Sequence, residues 1–374
     1  IGIAFLVPSE VSLSMWFFYL LTCAENQAFY SFGIPIEGGT SHFLGSQQAG
    51  AFLAFTVVTV YMGRRHLWAV FRKATGIGAS VDDADEPVGY RLCFWGLLAS
   101  AAGMVGWYWY FGIRPFVGTL LVILGFSIVL VHARLVSQGG VILTGQSWSP
   151  SSFLHDMTGG GLLTPTGAVV AQTQHALFLA DAREILSPHA MNSLRISSVF
   201  ERHRRLFLPI MMVTLLAAVL ASGYSVLRWV YYSEGAQNLE NQYSVTWHPR
   251  IHVGRAHQMI SDPHGSAHPH YTAVIIGAGV MTGLQLLRGA FYWWPINPLG
   301  LLISASWHIR PFWFCFLLGW LTKVVLLKLA TGRALRPARH FWMGVIAGEI
   351  ALVGGSTLFT LLTDVRIGYL FMPS

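Results

Sequence analysis

The chain opens with a nearly uncharged hydrophobic stretch, residues 1–21, with the sequence IGIAFLVPSEVSLSMWFFYLL. Glu10 is its single formally charged residue. A helix needs about 20 mostly apolar residues to cross the hydrocarbon core of a bilayer, so this stretch predicts a membrane span. Comparable stretches recur along the chain. The sequence therefore predicts an all-α polytopic transmembrane helical bundle of about eight spans.

The composition fits a protein whose main solvent is lipid. Of the 374 residues, 54% are hydrophobic and only 10% are charged, whereas a typical soluble domain has about 25% charged residues. The net charge of +7 comes from basic clusters beside hydrophobic stretches, such as 64–73 and 333–339. Such clusters mark the cytoplasmic ends of membrane helices. We therefore expect an integral protein of the bacterial cytoplasmic (inner) membrane, with the lipid bilayer and not nucleic acid as its partner.

The whole chain, 1–374, is interpreted as one integral membrane domain and as the C-terminal part of a longer protein, because it begins inside a span. Pro8 interrupts that first span, and Pro-rich or Gly-rich segments elsewhere predict broken or re-entrant helices. The candidate segments are 25–46, 137–198 and 295–308. The predicted spans are 1–24, 47–62, 92–111, 116–135, 206–232, 271–291, 311–330 and 341–362.

The basic clusters also predict an orientation. They share one side of the membrane only if residues 295–308 cross it as a short or broken helix. With that side cytoplasmic, the polar loop 234–270 lies outside the cell.

Ionisable residues within predicted spans are costly in lipid and are functional candidates for that reason. Glu10 and Glu349 are the candidate protonatable groups, and Lys323 is a candidate pathway group. Lys323 and Glu349 fall on consecutive spans, which predicts a buried ion pair between them. His132 is isolated in its span, and a lone histidine is more often a structural residue.

Three amide side chains complete the candidate substrate and proton pathway. Gln47 and Gln48 open the second predicted span beside small residues, and Asn297 lies in the sequence WPINPLG. Such amides bind polar groups of a solute, or alternatively form hydrogen bonds with a neighbouring helix.

The loop 234–270 is rich in histidine and is the candidate metal site. Neutral imidazoles are common ligands of divalent transition metals. The spacing of His248 and His252 would place two of them on one face of a helix. The alternative is an irregular, solvated loop, because prolines interrupt the stretch. The candidate ligands are His248, His252, His264, His268 and His270.

Several short motifs occur in a characteristic order: PSEVSLSMWFFY, QQAG followed by GRR, WPINPLG, GWLTK and FWMGVIAGE. They resemble the C-terminal part of an uncharacterised family of large bacterial membrane proteins, which is distantly similar to the oligopeptide transporter superfamily. The resemblance implies a secondary transporter of two halves with re-entrant segments, of which this chain covers about one half. Asn297 stands where a histidine is expected, which puts the specificity of that position in question.

The leading functional hypothesis is secondary transport of a small polar solute, such as a peptide or a metal chelate, driven by protons. One alternative is a non-transporting structural membrane subunit of a larger complex. Another is a membrane enzyme with a histidine-bound metal, although an enzymatic role is the less favoured. Candidate protein partners are a missing N-terminal half, a second copy of the chain or other membrane subunits.

Overall fold

The computed structural model describes residues 1–34, 39–78, 82–83, 86–141, 144–158, 161–180, 185–197, 206–233, 235, 246–262, 270–329 and 335–363. Within these ranges the chain forms 14 α-helices. They are α1 (Gly2–Leu6), α2 (Ser9–Ser31), α3 (Thr40–Thr75), α4 (Tyr90–Tyr110), α5 (Pro115–Gly139), α6 (Pro150–Thr158), α7 (Pro165–Phe178), α8 (Leu186–Ser197), α9 (Phe207–Ser225), α10 (His248–Ser261), α11 (Tyr271–Ala290), α12 (Leu299–Ile303), α13 (Trp313–Leu329) and α14 (Leu335–Thr363).

The prediction of a helical membrane protein is confirmed at this level. In the described ranges, six helices are long and apolar enough to cross a membrane: Thr40–Thr75, Tyr90–Tyr110, Pro115–Gly139, Phe207–Tyr232, Tyr271–Ala290 and Leu335–Thr360. They correspond to six of the predicted spans. The other two predicted spans, 1–24 and 311–330, contain α2 and α13, which are not among the six. The predicted number of eight spans is therefore not established.

The helix boundaries differ from the predicted ones where polar sequence continues a helix. Helix α3 extends well beyond the predicted 47–62, because no proline interrupts it and Gly76 ends it in the left-handed conformation with φ 80°. Most of the segment 25–46 is likewise helical, since α2 runs to Ser31 and α3 begins at Thr40. The predicted interruption at Pro8 is present and separates α1 from α2.

Helices α3 and α11 cross with their backbones in contact at Gly50 and Gly277. A Cβ atom added to Gly277 would overlap the carbonyl oxygen of Gln47, and one added to Gly50 would overlap that of Val274. The rings of Phe43 and His270 lie 5.7 Å apart. In both pairs, Phe43 with His270 and Gly50 with Gly277, the residue number of the second partner is larger by 227 (270 − 43 and 277 − 50). Contacts therefore advance along both helices in the same direction. The two helices therefore run parallel, packed through small residues as membrane helices commonly are.

The remaining helices divide into a buried centre and an exposed periphery. Helix α5 is packed along most of its length, with Ile128, Val131 and Leu135 fully buried. By contrast, the most apolar windows of α9 and α14 contain no buried residue. In a membrane protein such exposed apolar helices face lipid or a partner. The positions that could carry chemistry are consequently found around α3, α5 and the short helices.

Candidate functional site

Gln48 of α3 joins two segments in the interior, the non-helical one that follows α5 and the one that contains the short helix α12. Its amide nitrogen donates a hydrogen bond of 2.6 Å to the carbonyl oxygen of Leu302, at the end of α12. Its amide oxygen accepts one of 2.7 Å from the backbone N–H of Ser147. The hydroxyl of Ser147 in turn donates to the carbonyl oxygen of Ala305. Gln48 is buried, so this Gln48 junction satisfies backbone groups that have no helical partner.

Asn297 lies in the second of these segments and shapes its backbone. Its side-chain oxygen accepts a hydrogen bond of 3.1 Å from the N–H of Leu299, which forms an Asx turn at the start of α12. Its backbone N–H donates a bond of 2.6 Å to the hydroxyl of Ser14 in α2. The side chain is buried, and in this structure it organises the backbone between α11 and α12.

Lys323 lies at the break between α1 and α2. Its ammonium group donates a hydrogen bond of 2.9 Å to the carbonyl oxygen of Val7. That carbonyl has no backbone partner among the described residues, because the chain is extended at Val7 and the N–H of Val11 donates to the carbonyl of Pro8 instead. Glu349 is exposed on α14 and has no hydrogen bond or ion pair with the described residues. The predicted ion pair between Lys323 and Glu349 is therefore wrong, since the lysine is directed toward the helix break.

We predict that replacing Lys323 with methionine will destabilise the protein by about 2 kcal/mol, the typical contribution of a charge-assisted hydrogen bond. The unpaired carbonyl of Val7 is the physical reason. The measurement is the midpoint of thermal unfolding in detergent. Lys328→Met is the matched control, because Lys328 is exposed on the same helix. Equal destabilisation in the two variants would contradict the proposed role of the bond to Val7.

Glu10 and Gln47 both have partners near the ends of their helices. The carboxylate of Glu10 forms an ion pair of 2.9 Å with Arg288, and about half of each side chain is exposed. Gln47 donates a hydrogen bond of 3.3 Å to the carboxylate of Glu25. The carboxylate of Glu10 thus lies at the start of α2, next to the end of α11, and it is partly exposed and not buried in the interior.

The three predicted metal ligands that the structure describes, His248, His252 and His270, do not form a metal site with other described residues. His248 and His252 share one face of α10, with ring centroids 4.8 Å apart, as their spacing predicts. His270 follows α10 in the sequence, and its ring packs against that of Phe43 in α3. His264 and His268 lie outside the described residues. Within the described ranges, no group of three or more His, Cys, Asp or Glu side chains has a geometry that could hold a metal ion.

Part of the histidine-rich stretch is ordered helix. Residues 248–261 form α10, which buries His252, Ala256 and Met259 against α7. The alternative interpretation of this stretch as an irregular loop is therefore wrong for α10. The spacing of these three residues, four and then three apart, is that of one helix face, and this explains why the segment is helical despite Pro249 in its first turn.

His132 lies in a network of structural hydrogen bonds, in agreement with the expectation for an isolated histidine. One ring nitrogen is 3.0 Å from the hydroxyl of Thr144, and the other is 2.8 Å from the side-chain oxygen of Gln146. Gln146 in turn donates to the carbonyl oxygen of Leu179, at the end of α7. His132 is fully buried. It thus fixes the non-helical segment after α5 to both α5 and α7.

A second group of polar side chains lies between α6, α7 and α10. Gln172 is buried and donates hydrogen bonds to the hydroxyls of Ser149 and Ser152 at 3.0 and 2.7 Å. One turn further along α7, the ring of His175 is 5.5 Å from that of His252. We call Ser151, Gln172, His175, His252 and Arg255 the α7–α10 cluster.

The α7–α10 cluster contains polar atoms that are buried without partners. Among the described residues, no hydrogen bond is formed by the hydroxyl of Ser151, the side-chain oxygen of Gln172 or the Nδ1 atoms of His175 and His252. Leaving such atoms unpaired costs about 1–3 kcal/mol each. This concentration of unsatisfied groups is typical of a site that binds a polar ligand or water.

The two imidazoles of the cluster are neutral at pH 7. Burial lowers the pKa of His175 well below its usual value, and the charges of His252, Arg255, His248 and His132 lower it further. Burial, Arg255 and His248 together lower the pKa of His252 to about 4. Both imidazoles lie outside the membrane-spanning helices, since α7 and α10 have only 14 residues each and a span needs about 20.

The sequence analysis did not identify this cluster. The sequence contains a weak signal, since Gln172 and His175 are three apart in the polar run 172–175 of α7, and residues at this spacing share one face. Their partners come from α6 and α10, however, and a single sequence does not show that these helices are neighbours.

The comparisons with known proteins bear on the family alone. No curated protein and no solved structure matches this chain. The likeness to the oligopeptide transporter superfamily has no support from them and stays a prediction. A family model matches residues 1–373, which is nearly the entire sequence. The chain therefore belongs to DUF6785, a family of unknown function.

Proposed function

We propose that this protein is a secondary transporter for a small polar solute, such as a peptide or a metal chelate, that moves together with protons. The observation that carries the proposal is the Gln48 junction, where a non-helical segment after α5 meets the end of the short helix α12 in the interior. Non-helical backbone at membrane depth occurs where it is buried in protein or lines a cavity. Transporters use such broken elements to bind solutes and ions.

In this proposal the segments 144–149 and 291–312, the second of which contains the short helix α12, are the re-entrant or broken parts of the membrane domain. Helices α3 and α11 run parallel, and both end in basic residues, such as Arg72 and Arg288. We place the protein in the bacterial inner membrane with those ends in the cytoplasm. The loop 234–270 then lies on the opposite, outer side of that membrane. The solute pathway would run from the α7–α10 cluster past the Gln48 junction to the pair of Glu10 and Arg288.

The proposal is tested with sealed proteoliposomes that contain a pH-sensitive dye. We expect an inward gradient of a dipeptide mixture or of iron–citrate to acidify the interior, and empty liposomes to show no such change. Replacing Glu10 with glutamine should slow the acidification, because glutamine cannot bind and release the proton that the Glu10 carboxylate would carry in the proposed pathway. Glu349→Gln is the matched control and should behave as the wild type, since Glu349 is exposed on α14. Absence of acidification with both solutes would contradict the proposal.

A second candidate is a non-transporting subunit of a larger membrane complex. It is favoured by the exposed apolar surfaces of α9 and α14, whose most apolar windows bury no residue. Extraction of the protein directly into native lipid nanodiscs distinguishes the two. A second copy or another membrane protein, present in a fixed ratio and cross-linked to α9 or α14, would support the subunit role. Acidification by the protein reconstituted alone would support transport.

A further inference from the structure

We propose that the α7–α10 cluster is a binding site for a small carboxylate-bearing solute, and that one proton is taken up by the cluster when the carboxylate binds. This inference deepens the transport proposal, on which it rests for the identification of the solute as cargo. The binding step itself needs no transport and is measured separately.

The first argument is the pattern of unpaired atoms. The hydroxyl of Ser151 and the Nδ1 atoms of His175 and His252 are buried and without partners among the described residues. The hydroxyl can donate a hydrogen bond, and so can each Nδ1 atom once it carries a proton. A carboxylate has two oxygens and about four positions that accept hydrogen bonds. Because the rings of His175 and His252 lie 5.5 Å apart, one carboxylate bound between them could accept from both Nδ1 atoms.

The second argument is the charge around the cluster. Arg255 is partly buried and has neither a hydrogen bond nor an ion pair with the described residues, and its charge acts on both His175 and His252. A guanidinium group without a carboxylate partner is the usual recognition element for a carboxylate ligand.

The groups that face the imidazoles are cationic or already paired. Arg255 and His248 act from α10, and His132 acts from α5. In α6 the carboxylate of Asp156 is 3.4 Å from the ring of His42, which belongs to α3. No carboxylate in the described ranges contributes to the titration of His175 or His252. An anion from outside would therefore supply the missing negative charge.

Proton uptake follows because a bound carboxylate raises the pKa of the neighbouring imidazoles. Without ligand, burial and neighbouring positive charges keep both imidazoles neutral, with the pKa of His252 at about 4. An opposite charge within hydrogen-bond distance raises an imidazole pKa by about 1–3 units. Between the pKa values of the free and occupied site, binding therefore transfers one proton from water to an imidazole Nδ1 atom. A carboxylate and a proton would enter the site together.

The test uses formate, the smallest carboxylate, with the full chain in lipid nanodiscs. Calorimetry in two buffers of different ionisation enthalpy gives the number of protons taken up per formate bound. We expect uptake of close to one proton at pH 5.5. We also expect an affinity that weakens about tenfold or more by pH 7.5, since one unit of pKa difference corresponds to a tenfold change. Formamide, which is similar in size but neutral, should not bind.

Variants on α10 provide matched controls for the same measurement. Arg255→Gln and His252→Gln should weaken formate binding at least about tenfold and reduce the proton uptake, whereas Arg255→Lys should retain part of the affinity. Arg250→Gln and His257→Gln should bind formate as the wild type does, because both residues are exposed on the same helix.

The outcomes separate this inference from the transport proposal. Absence of formate binding, binding without proton uptake, or equal binding of formate and formamide by the wild type would each overturn the inference. None of these three results depends on a variant that folds poorly. If formate binds as expected but the proteoliposomes fail to acidify, the site stands and the transport proposal fails.

Discussion

Replacing Gly277 with leucine is expected to destabilise the protein by about 3 kcal/mol or more, at the upper end of the range for overpacked interiors. A Cβ atom at this position would lie well within the 3.0 Å that real Cβ atoms keep from other atoms. The obstacle is the backbone carbonyl of Gln47, which cannot rotate away as a side chain can. The side chain of leucine would therefore force α3 and α11 apart along their whole contact. Thermal unfolding in detergent measures the effect.

Gly279→Leu is the control for Gly277→Leu. Gly279 lies on the exposed side of α11, and a Cβ atom there would meet no atom within 4 Å. The substitution gains helix propensity and adds apolar surface that lipid can cover, so stability should be unchanged or slightly higher. If both variants lose the same stability, close contact between the backbones of α3 and α11 does not hold the fold together.

Replacing Gln48 with leucine should have the second large effect, a loss of about 4 kcal/mol. The substitution leaves the carbonyl of Leu302 and the N–H of Ser147 without their partner, and each unsatisfied buried group costs about 1–3 kcal/mol. Because Ser147 belongs to the non-helical segment after α5, we also expect proteolytic cleavage near residues 144–149 to become faster. Limited proteolysis and thermal unfolding measure the two effects.

The adjacent residue provides the control for Gln48→Leu. Gln47 is partly exposed and forms one longer hydrogen bond, of 3.3 Å, with Glu25. Gln47→Leu should therefore cost at most about 1 kcal/mol. A larger loss for Gln47→Leu than for Gln48→Leu would mean that Gln48 does not hold the two segments together.

The sequence predicted the features that depend on local pattern. Apolar stretches of the right length predicted the long helices, and Pro8 predicted the break before α2, because a missing N–H acts within one turn. The spacing of His248 and His252 likewise predicted their shared face. Helix ends were less predictable, since α3 continues through polar sequence as far as Gly76.

The sequence could not predict which helices are neighbours. Lys323 and Glu349 lie on consecutive helices, yet Lys323 bonds to Val7, more than 300 residues away in sequence. Similarly, the α7–α10 cluster combines Gln172 and His175 with His252, although α8 and the apolar helix α9 lie between them in the sequence. A single sequence records no pairwise contacts, so these arrangements depend on packing that only the structure describes.

The proposed solute pathway past the Gln48 junction requires that water reaches the polar groups around Ser147 in the membrane. The most direct measurement is labelling of a cysteine at Ser147, with Cys23, Cys93 and Cys315 replaced by serine, by a membrane-impermeant thiol reagent in sealed vesicles. We predict that Ser147→Cys is labelled, and that Ala49→Cys, at a fully buried apolar position of α3, is not. Labelling of Ser147→Cys only after the protein is unfolded would contradict the account.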